Sequence, residues 1–217
     1  MLLRAIANFE QQSYPNKELV ICYPDTDSGT IEIVQKLSLK TKPGVILVER
    51  SSETSIGRAK NMAVSNSNGD YICIWDDDDY YYRTRMMVQY NILHKNGRFK
   101  DASILLQVLL YENRTAKLYI SPLGAWAGTL LCKKELILRN PFLDSDISET
   151  ESLLDFLLRS NRLDLIQDAP HLYIYIYHGQ NVHNEREFFK YIDDSEAVGE
   201  EDSAFIKPYI LQEYQIN

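Results

Sequence analysis

Apolar positions along the first hundred residues alternate between two rhythms. Leu2, Leu3, Ile6 and Phe9 recur at three-to-four spacing, which predicts a helix over residues 1–12. Tyr14–Pro15–Asn16 ends it, because proline cannot continue the hydrogen-bond ladder. Residues 18–23 form a short apolar run of strand length, and 24–29 a polar turn. Helical spacing returns over 30–39 through Ile31, Val34 and Leu37, until Pro43–Gly44 breaks the chain. A second strand is predicted at 45–48, a helix opening on Gly57 at 57–65, and a third strand at 71–75. Strands alternating with helices of this length predict an α/β fold with a largely parallel sheet. The chain opens on a helix, with no strand ahead of it.

After residue 100 the pattern changes. Residues 102–111 and 116–121 read as strands joined by a polar turn, and 126–134 is mixed. Residues 150–159 predict an amphipathic helix with Leu153, Leu154, Leu157 and Leu158 on one face. Residues 171–177 alternate and predict a strand near the core. Asp193, Asp194, Glu196, Glu200, Glu201 and Asp202 then make an acidic stretch, expected to be solvated.

Composition narrows the class. The 217 residues are 45% hydrophobic and 25% charged, which fits one large folded domain rather than a disordered chain. A net charge of −8 argues against a general nucleic-acid binder, which carries a basic face. No apolar run approaches the roughly 20 residues a bilayer requires; the longest, 102–111, is interrupted by Ser103 and Gln107. Cys22, Cys73 and Cys132 are far apart within apolar runs, which fits buried thiols in a reducing cytosol. The 15 tyrosines cluster at 80–82 and 173–177, and their flat rings with polar tips suit half-buried clefts.

The candidate chemistry sits at Asp76–Asp77–Asp78–Asp79, directly after the third predicted strand. Ligands of open α/β sheets bind at the carboxyl ends of strands. In extended chain alternate side chains share a side, so Asp76 pairs with Asp78, and Asp77 with Asp79. Two carboxylates placed so suit a hard divalent ion such as Mg²⁺ or Mn²⁺ that keeps positions open for phosphate oxygens. The plain alternative is an acidic loop capping the next helix.

Three blocks carry a resemblance. Gln12–Ser13–Tyr14–Pro15–Asn16 with Glu18–Leu19–Val20–Ile21, Gly57–Arg58–Ala59–Lys60–Asn61, and Asn68–Gly69–Asp70–Tyr71–Ile72 running into Trp75–Asp76–Asp77–Asp78–Asp79 occur in that order. Together they resemble family 2 inverting glycosyltransferases of the GT-A fold, closely over about residues 1–95 and loosely beyond. The resemblance implies a Rossmann-like α/β sheet flanked by helices, with a small mixed acceptor-side region. Residues 1–100 would form the nucleotide-sugar part and 101–190 the acceptor side, with 191–217 an acidic tail. It implies a metal-dependent transfer of sugar from a nucleoside-diphosphate donor to a glycan, lipid-linked or protein acceptor. Asp76 would face the ribose or sugar, and Asp78 the Mn²⁺ or Mg²⁺ ion and the diphosphate. Asp79 would support them or approach the sugar, Asp77 would stand with them on the donor side, and Arg58 and Asn61 would line the donor pocket. Asp25 stands displaced from the family's base-reading aspartate, whose place holds Tyr23 and Pro24.

The family's catalytic base opens a helix beyond the acceptor region, often as a Glu-Asp pair. Here Glu149 takes the first place, Thr150 the second, and Glu151 follows. Threonine cannot act as a general base, so Glu149 or Glu151 is the candidate; Ser148 and Glu151 also read as a capping box. His178, in Tyr177–His178–Gly179–Gln180–Asn181, would touch the diphosphate or metal, and Trp126 would stack on a sugar or anchor the core. The resemblance also implies a cytoplasmic enzyme of cell-surface polysaccharide synthesis, peripheral at the inner face of the membrane, with a homodimer compatible.

The family opens with an inner strand that this chain lacks, so unpaired strand edges are expected in its place. That, with Tyr23–Pro24 and Thr150, motivates a second reading as a binding module without turnover or a truncated inactive enzyme. A Mg²⁺-dependent phosphohydrolase using Asp76 and Asp78 is a third, weakened by Tyr80 two residues after Asp78.

Overall fold

The computed structural model describes residues 1–39, 43–95, 100–181 and 185–210. The first half follows the predicted alternation: α1 (Leu2–Glu10), β1 (Leu19–Pro24), α2 (Ser28–Leu39), β2 (Val45–Arg50), α3 (Ile56–Asn66) and β3 (Tyr71–Cys73). Then come β4 (Tyr80–Tyr81), α4 (Arg85–Leu93), β5 (Ala102–Leu105), β6 (Leu109–Glu112), β7 (Lys117–Ile120) and β8 (Leu131–Lys133). The chain continues through α5 (Lys134–Arg139), α6 (Glu151–Arg159), β9 (Leu163–Ile166), β10 (Tyr173–Tyr177), α7 (Glu185–Asp193), β11 (Glu196–Ala197) and α8 (Glu200–Ile210).

These elements make an α/β molecule with three sheets, ordered β1-β2, β3-β8-β5-β9 and β11-β7-β6-β10-β4. β1 and β2 pair in parallel, from Leu19 opposite Val45 to Pro24 opposite Arg50. From β3 onward the pairing is mixed, because β8 enters antiparallel to both β3 and β5. The run 102–111, expected as one strand, breaks into β5 and β6, which lie in different sheets. Polar Gln107 marks the corner: its amide donates to Ser121 O (3.1 Å), and the Ser121 hydroxyl accepts from Val108 N–H (3.0 Å). The main core gathers Ile74, Ile104, Leu130, Leu153 and Leu157 between α3, α5, α6 and the β5 sheet. A second, aromatic core holds Tyr81, Tyr173, Tyr177 and Phe188.

The acidic stretch is more ordered than its composition suggests. Glu196–Ala197 pairs with β7, and α8 buries Ile210 and Ser203. Glu200, Glu201 and Asp202 occupy the first turn of α8, where the positive end of the helix dipole favours carboxylates. The acids are exposed while the segment carrying them is folded; residues 211–217 of the expected tail lie outside the described residues.

Among the described residues β1 has β2 as its only strand partner, and β3 has β8. Their other edges border a cavity of about 600 Å³ that Leu19, Val20, Ile72 and Cys73 line, with Phe9 of α1, Val64 of α3 and Tyr90 of α4. Among the described residues both edges are unpaired. Glu18 spans its foot, its carboxylate accepting from Gly69 N–H (2.8 Å) and the Asn68 amide (3.0 Å).

Candidate active site

The carboxylate loop leaves the end of β3 and is braced from beneath. Arg85, fully buried, donates to Ile74 O (3.0 Å) and Gly128 O (3.2 Å), and its guanidinium lies 4.7 Å from the centre of the Tyr81 ring. Trp75 stacks on Tyr81 at 3.9 Å. The Tyr81 hydroxyl accepts from Asp76 N–H (2.5 Å) and lies 3.1 Å from Asp76 O. A buried cation inside an aromatic cage thus fixes the main chain on which the acids stand.

The four acids have four environments. Asp76 is half-buried; burial pushes its carboxyl up, Lys60 pulls it down, and Asp78 adds to the rise. Asp77 is exposed and Asp78 half-buried. His178 Nε2 lies 3.3 Å from Asp78 Oδ2, and the Asn181 amide donates to the same oxygen at 3.3 Å. Gln180 N–H donates to His178 Nδ1 (3.3 Å). Arg4 donates to Asp78 O. Asp79 is 1% exposed, takes hydrogen bonds from the Tyr173 hydroxyl and Ile176 N–H (2.9 Å), and so ties the loop to β10. Burial, with Asp78 and Asp76 close by, holds its carboxyl well above the usual carboxylate range.

Glu149 stands on the facing wall. Its Oε1 pairs with Lys60 Nζ at 2.7 Å and accepts from the Thr150 hydroxyl at 3.0 Å. Lys60 Nζ also reaches Asp76 Oδ1 at 3.9 Å. Burial raises the Glu149 carboxyl, but Lys60 and the hydrogen bonds outweigh it and hold the group below its ordinary value. A cleft of about 910 Å³ opens between these walls, bounded by Asp76, Asp77 and Asp78 on one part and Glu149 and Glu151 on another. Tyr23, Asp27 and Arg50 extend it past the end of β1, and Trp126 and Tyr191, with rings 5.2 Å apart, also line it.

Comparison with known proteins accounts for this layout. The description "Glycosyl transferase family 2" matches residues 1–116, more than half of the chain. The chain belongs to glycosyl transferase family 2. It is 26% identical over 99 residues to the putative glycosyltransferase EpsE of Bacillus subtilis (strain 168), a match covering 46% of this chain and 36% of that protein. The chain therefore spans about a third of the length of that relative. Its fold resembles S. aureus TarS 1–349 in complex with UDP, with a TM-score of 0.64 and 15% identity over 81% of this chain and 56% of that one. It also resembles glucosyl-3-phosphoglycerate synthase from Mycobacterium tuberculosis, solved with Mn²⁺, UDP and glucosyl-3-phosphoglycerate, with a TM-score of 0.56 and 12% identity over 80% and 67%. These likenesses establish the GT-A fold.

With the family known, each expected residue has a place. Asp76, Asp77, Asp78, Glu149 and Glu151 come together at the cleft. Asp79 borders it, but both its oxygens serve β10. Asn61 is committed elsewhere: its amide donates to Phe142 O (2.8 Å) and accepts from Phe142 N–H (3.0 Å). Arg58 is exposed on α3, and Asp25 accepts from Ser52 N–H (3.1 Å) at the neighbouring loop. Ser148 and Glu151 form no capping box: α6 starts at Glu151, its cap position is Thr150, and Ser148 has φ 59°.

Three residues that shape the site are not singled out by the sequence: Lys60 and Arg50, which line the cleft, and Arg85, which braces the acid loop. Lys60 stands three positions after Gly57 and four before Val64, which puts all three on one face of α3. That spacing is the available signal, and it favours Lys60 over Arg58. Arg50 donates to Ser51 O (3.1 Å) and Thr54 O (2.9 Å), and its buried Nε has no hydrogen-bond partner among the described residues.

Among the described residues no group of three or more His, Cys, Asp or Glu side chains is arranged to hold a metal ion by itself. Asp78 and Asp76 both open on the cleft, and paired carboxylates are the donor type that a hard divalent ion takes beside water and phosphate oxygens.

Proposed function

We propose that this chain binds a nucleoside-diphosphate sugar in the cleft and transfers the sugar, with inversion, to a hydroxyl of a glycan, lipid-linked or protein acceptor. The observation that carries the proposal is the facing of Asp76 and Asp78, beyond the end of β3, by Glu149 across one cleft. UDP in the two structural neighbours makes uridine diphosphate the first donor nucleotide to test.

Asp78 and Asp76 would hold Mn²⁺ or Mg²⁺; when bound, such an ion stabilises negative charge on the departing diphosphate. His178, through its contact with Asp78, keeps that carboxylate oriented. Glu149 takes the proton of the acceptor hydroxyl as the hydroxyl oxygen attacks the anomeric carbon, and the bond to the diphosphate breaks on the opposite face. Glu149 is preferred to Glu151 because it is held by two partners on the cleft wall, whereas Glu151 is exposed at the first turn of α6. Trp126 and Tyr191 offer an aromatic surface for a sugar ring of the acceptor. Among the described residues no helix is long and apolar enough to cross a membrane, and we place the enzyme in the cytoplasm, peripheral to the membrane when its acceptor is lipid-linked.

The test is sugar release from UDP-glucose with Mn²⁺. Glu149→Gln lowers turnover about 100-fold at unchanged donor affinity, and Glu151→Gln stays near the parent rate. Normal turnover in Glu149→Gln contradicts the assignment of the base.

A further inference from the structure

The loop that carries Glu149 is fastened almost entirely to the first turns of α3. Gly57 N–H donates to Ser145 O (3.0 Å), Ile56 N–H to Asp146 Oδ1 (2.8 Å), and the Ser55 hydroxyl to Asp144 Oδ1 (2.6 Å). Asn61 clamps the main chain of Phe142. These contacts hold residues 142–146, through the main chain at Phe142 and Ser145 and through the carboxylates of Asp144 and Asp146. The contact that reaches the Glu149 carboxylate from α3 is Lys60 Nζ, at 2.7 Å.

This cation lies between two carboxylates with different proposed duties, Glu149 at 2.7 Å and Asp76 at 3.9 Å. The Lys60 side chain is 22% exposed, that of Glu149 13% and that of Asp76 35%, so water screens the Lys60–Glu149 pair weakly and the Lys60–Asp76 pair more. Asp76 and Glu149 repel each other in this setting, and an ammonium between them removes the repulsion. Without it, a carboxylate at the end of a loop has reason to turn away from the donor wall.

We propose that Lys60 is a positioning residue that acts through Glu149, holding the proton-accepting carboxylate at a fixed distance from the donor carboxylate Asp76. The inference rests on the reading of Glu149 as the base. It makes the first turns of α3 a shared frame: one helix sets both the donor side and the point at which the acceptor hydroxyl is deprotonated. A lysine serves here as a compact point charge, and arginine at the same position keeps the charge.

The test is a double-mutant cycle on sugar release from UDP-glucose with Mn²⁺, measured for Lys60→Met, Lys60→Arg, Glu149→Gln and the Lys60→Met/Glu149→Gln pair. Lys60→Met is expected to lower kcat by about tenfold or more with donor KM within about threefold, a split that marks an effect on the chemical step. Lys60→Arg restores most of the loss, and the double variant is no slower than Glu149→Gln. Additive losses, or a raised donor KM at unchanged kcat, overturn the inference and make Lys60 a direct donor contact while leaving the base assignment intact. Full activity in Glu149→Gln overturns the base assignment and the inference with it. A crystal structure of Lys60→Met gives an answer independent of turnover: the Glu149 carboxylate is expected to leave its place, and an unmoved carboxylate overturns the inference.

Discussion

Two glycines show what single residues do for the cleft. A Cβ on Gly57 would lie 1.7 Å from Leu143 O, so the start of α3 can approach Leu143 this closely only because residue 57 is glycine. Gly57→Ala must push backbone from backbone; we expect a loss of about 3 kcal/mol and a Tm lower by roughly 6–12 °C, read by thermal denaturation. A Cβ on Gly128 would meet Asp76 Oδ2 at 2.9 Å and the Tyr173 hydroxyl at 3.0 Å. Gly128→Ala therefore moves Asp76 more than it unsettles the fold, and turnover should fall about 100-fold while Tm changes by a few degrees at most. Intact turnover in Gly128→Ala would show that the position of Asp76 is immaterial. Asp76 and Asp78 were legible in the sequence because consecutive acids directly behind an apolar strand repel one another unless a cation joins them. Lys60 was not, although it stands in a family motif, because a motif names residues without saying which way each points. Asp79 departs from its expected place for a related reason. Alternation along an extended chain puts it beside Asp77, whereas hydrogen bonds from Tyr173 and Ile176 turn it into the aromatic core.

At the scale of elements, the first half of the fold was readable and the second only in part: β7, α6 and β10 fall on expected elements, whereas β4, β8, β9 and β11 do not. β1 and β2 each have six residues in a βα rhythm that sequence periodicity detects. β4 and β11 have two residues and β8 three, too short to show a period. Their existence depends on neighbours, as does the corner between β5 and β6 that Gln107 and Ser121 hold. The foot of the β1–β3 gap gives a prediction with a sign. Burial raises the Glu18 carboxyl, but the Asn68 side chain, the N–H groups of Asn68 and Gly69, and Lys134 outweigh it, and the net value lies below the ordinary 4.5. A depressed carboxyl stabilises the folded state above its unfolded value and ceases to do so as pH falls through the folded one. Glu18→Gln should cost about 1 kcal/mol at pH 7, a figure reduced for solvent exposure, and the difference from the parent should vanish well below pH 4. A difference constant from pH 7 to pH 3 would contradict the assignment. The cavity between β1 and β3 predicts a second outcome. Amides on their facing edges should exchange at least about tenfold faster than those of β5, which is paired on both sides by β8 and β9. Equal protection, read by hydrogen exchange, would mean that the gap is closed in solution.

For the molecule as a whole, the net charge of −8 has two sources with different meanings. The acids of α8 are exposed at a helix start, whereas those at residues 76–79 crowd one loop braced by a buried arginine. Crowded carboxylates are costly unless a cation joins them, so the acid loop, the cleft and the facing Glu149 are parts of one claim: a donor diphosphate and a divalent ion bind together at Asp76 and Asp78. The most direct measurement is a calorimetric titration of UDP into the protein with and without Mn²⁺, repeated with Asp78→Ala. Binding that requires Mn²⁺ and is lost in Asp78→Ala, while Tm stays within a few degrees of the parent, is the predicted result. Binding of equal strength without the ion, or undiminished in Asp78→Ala, would contradict it.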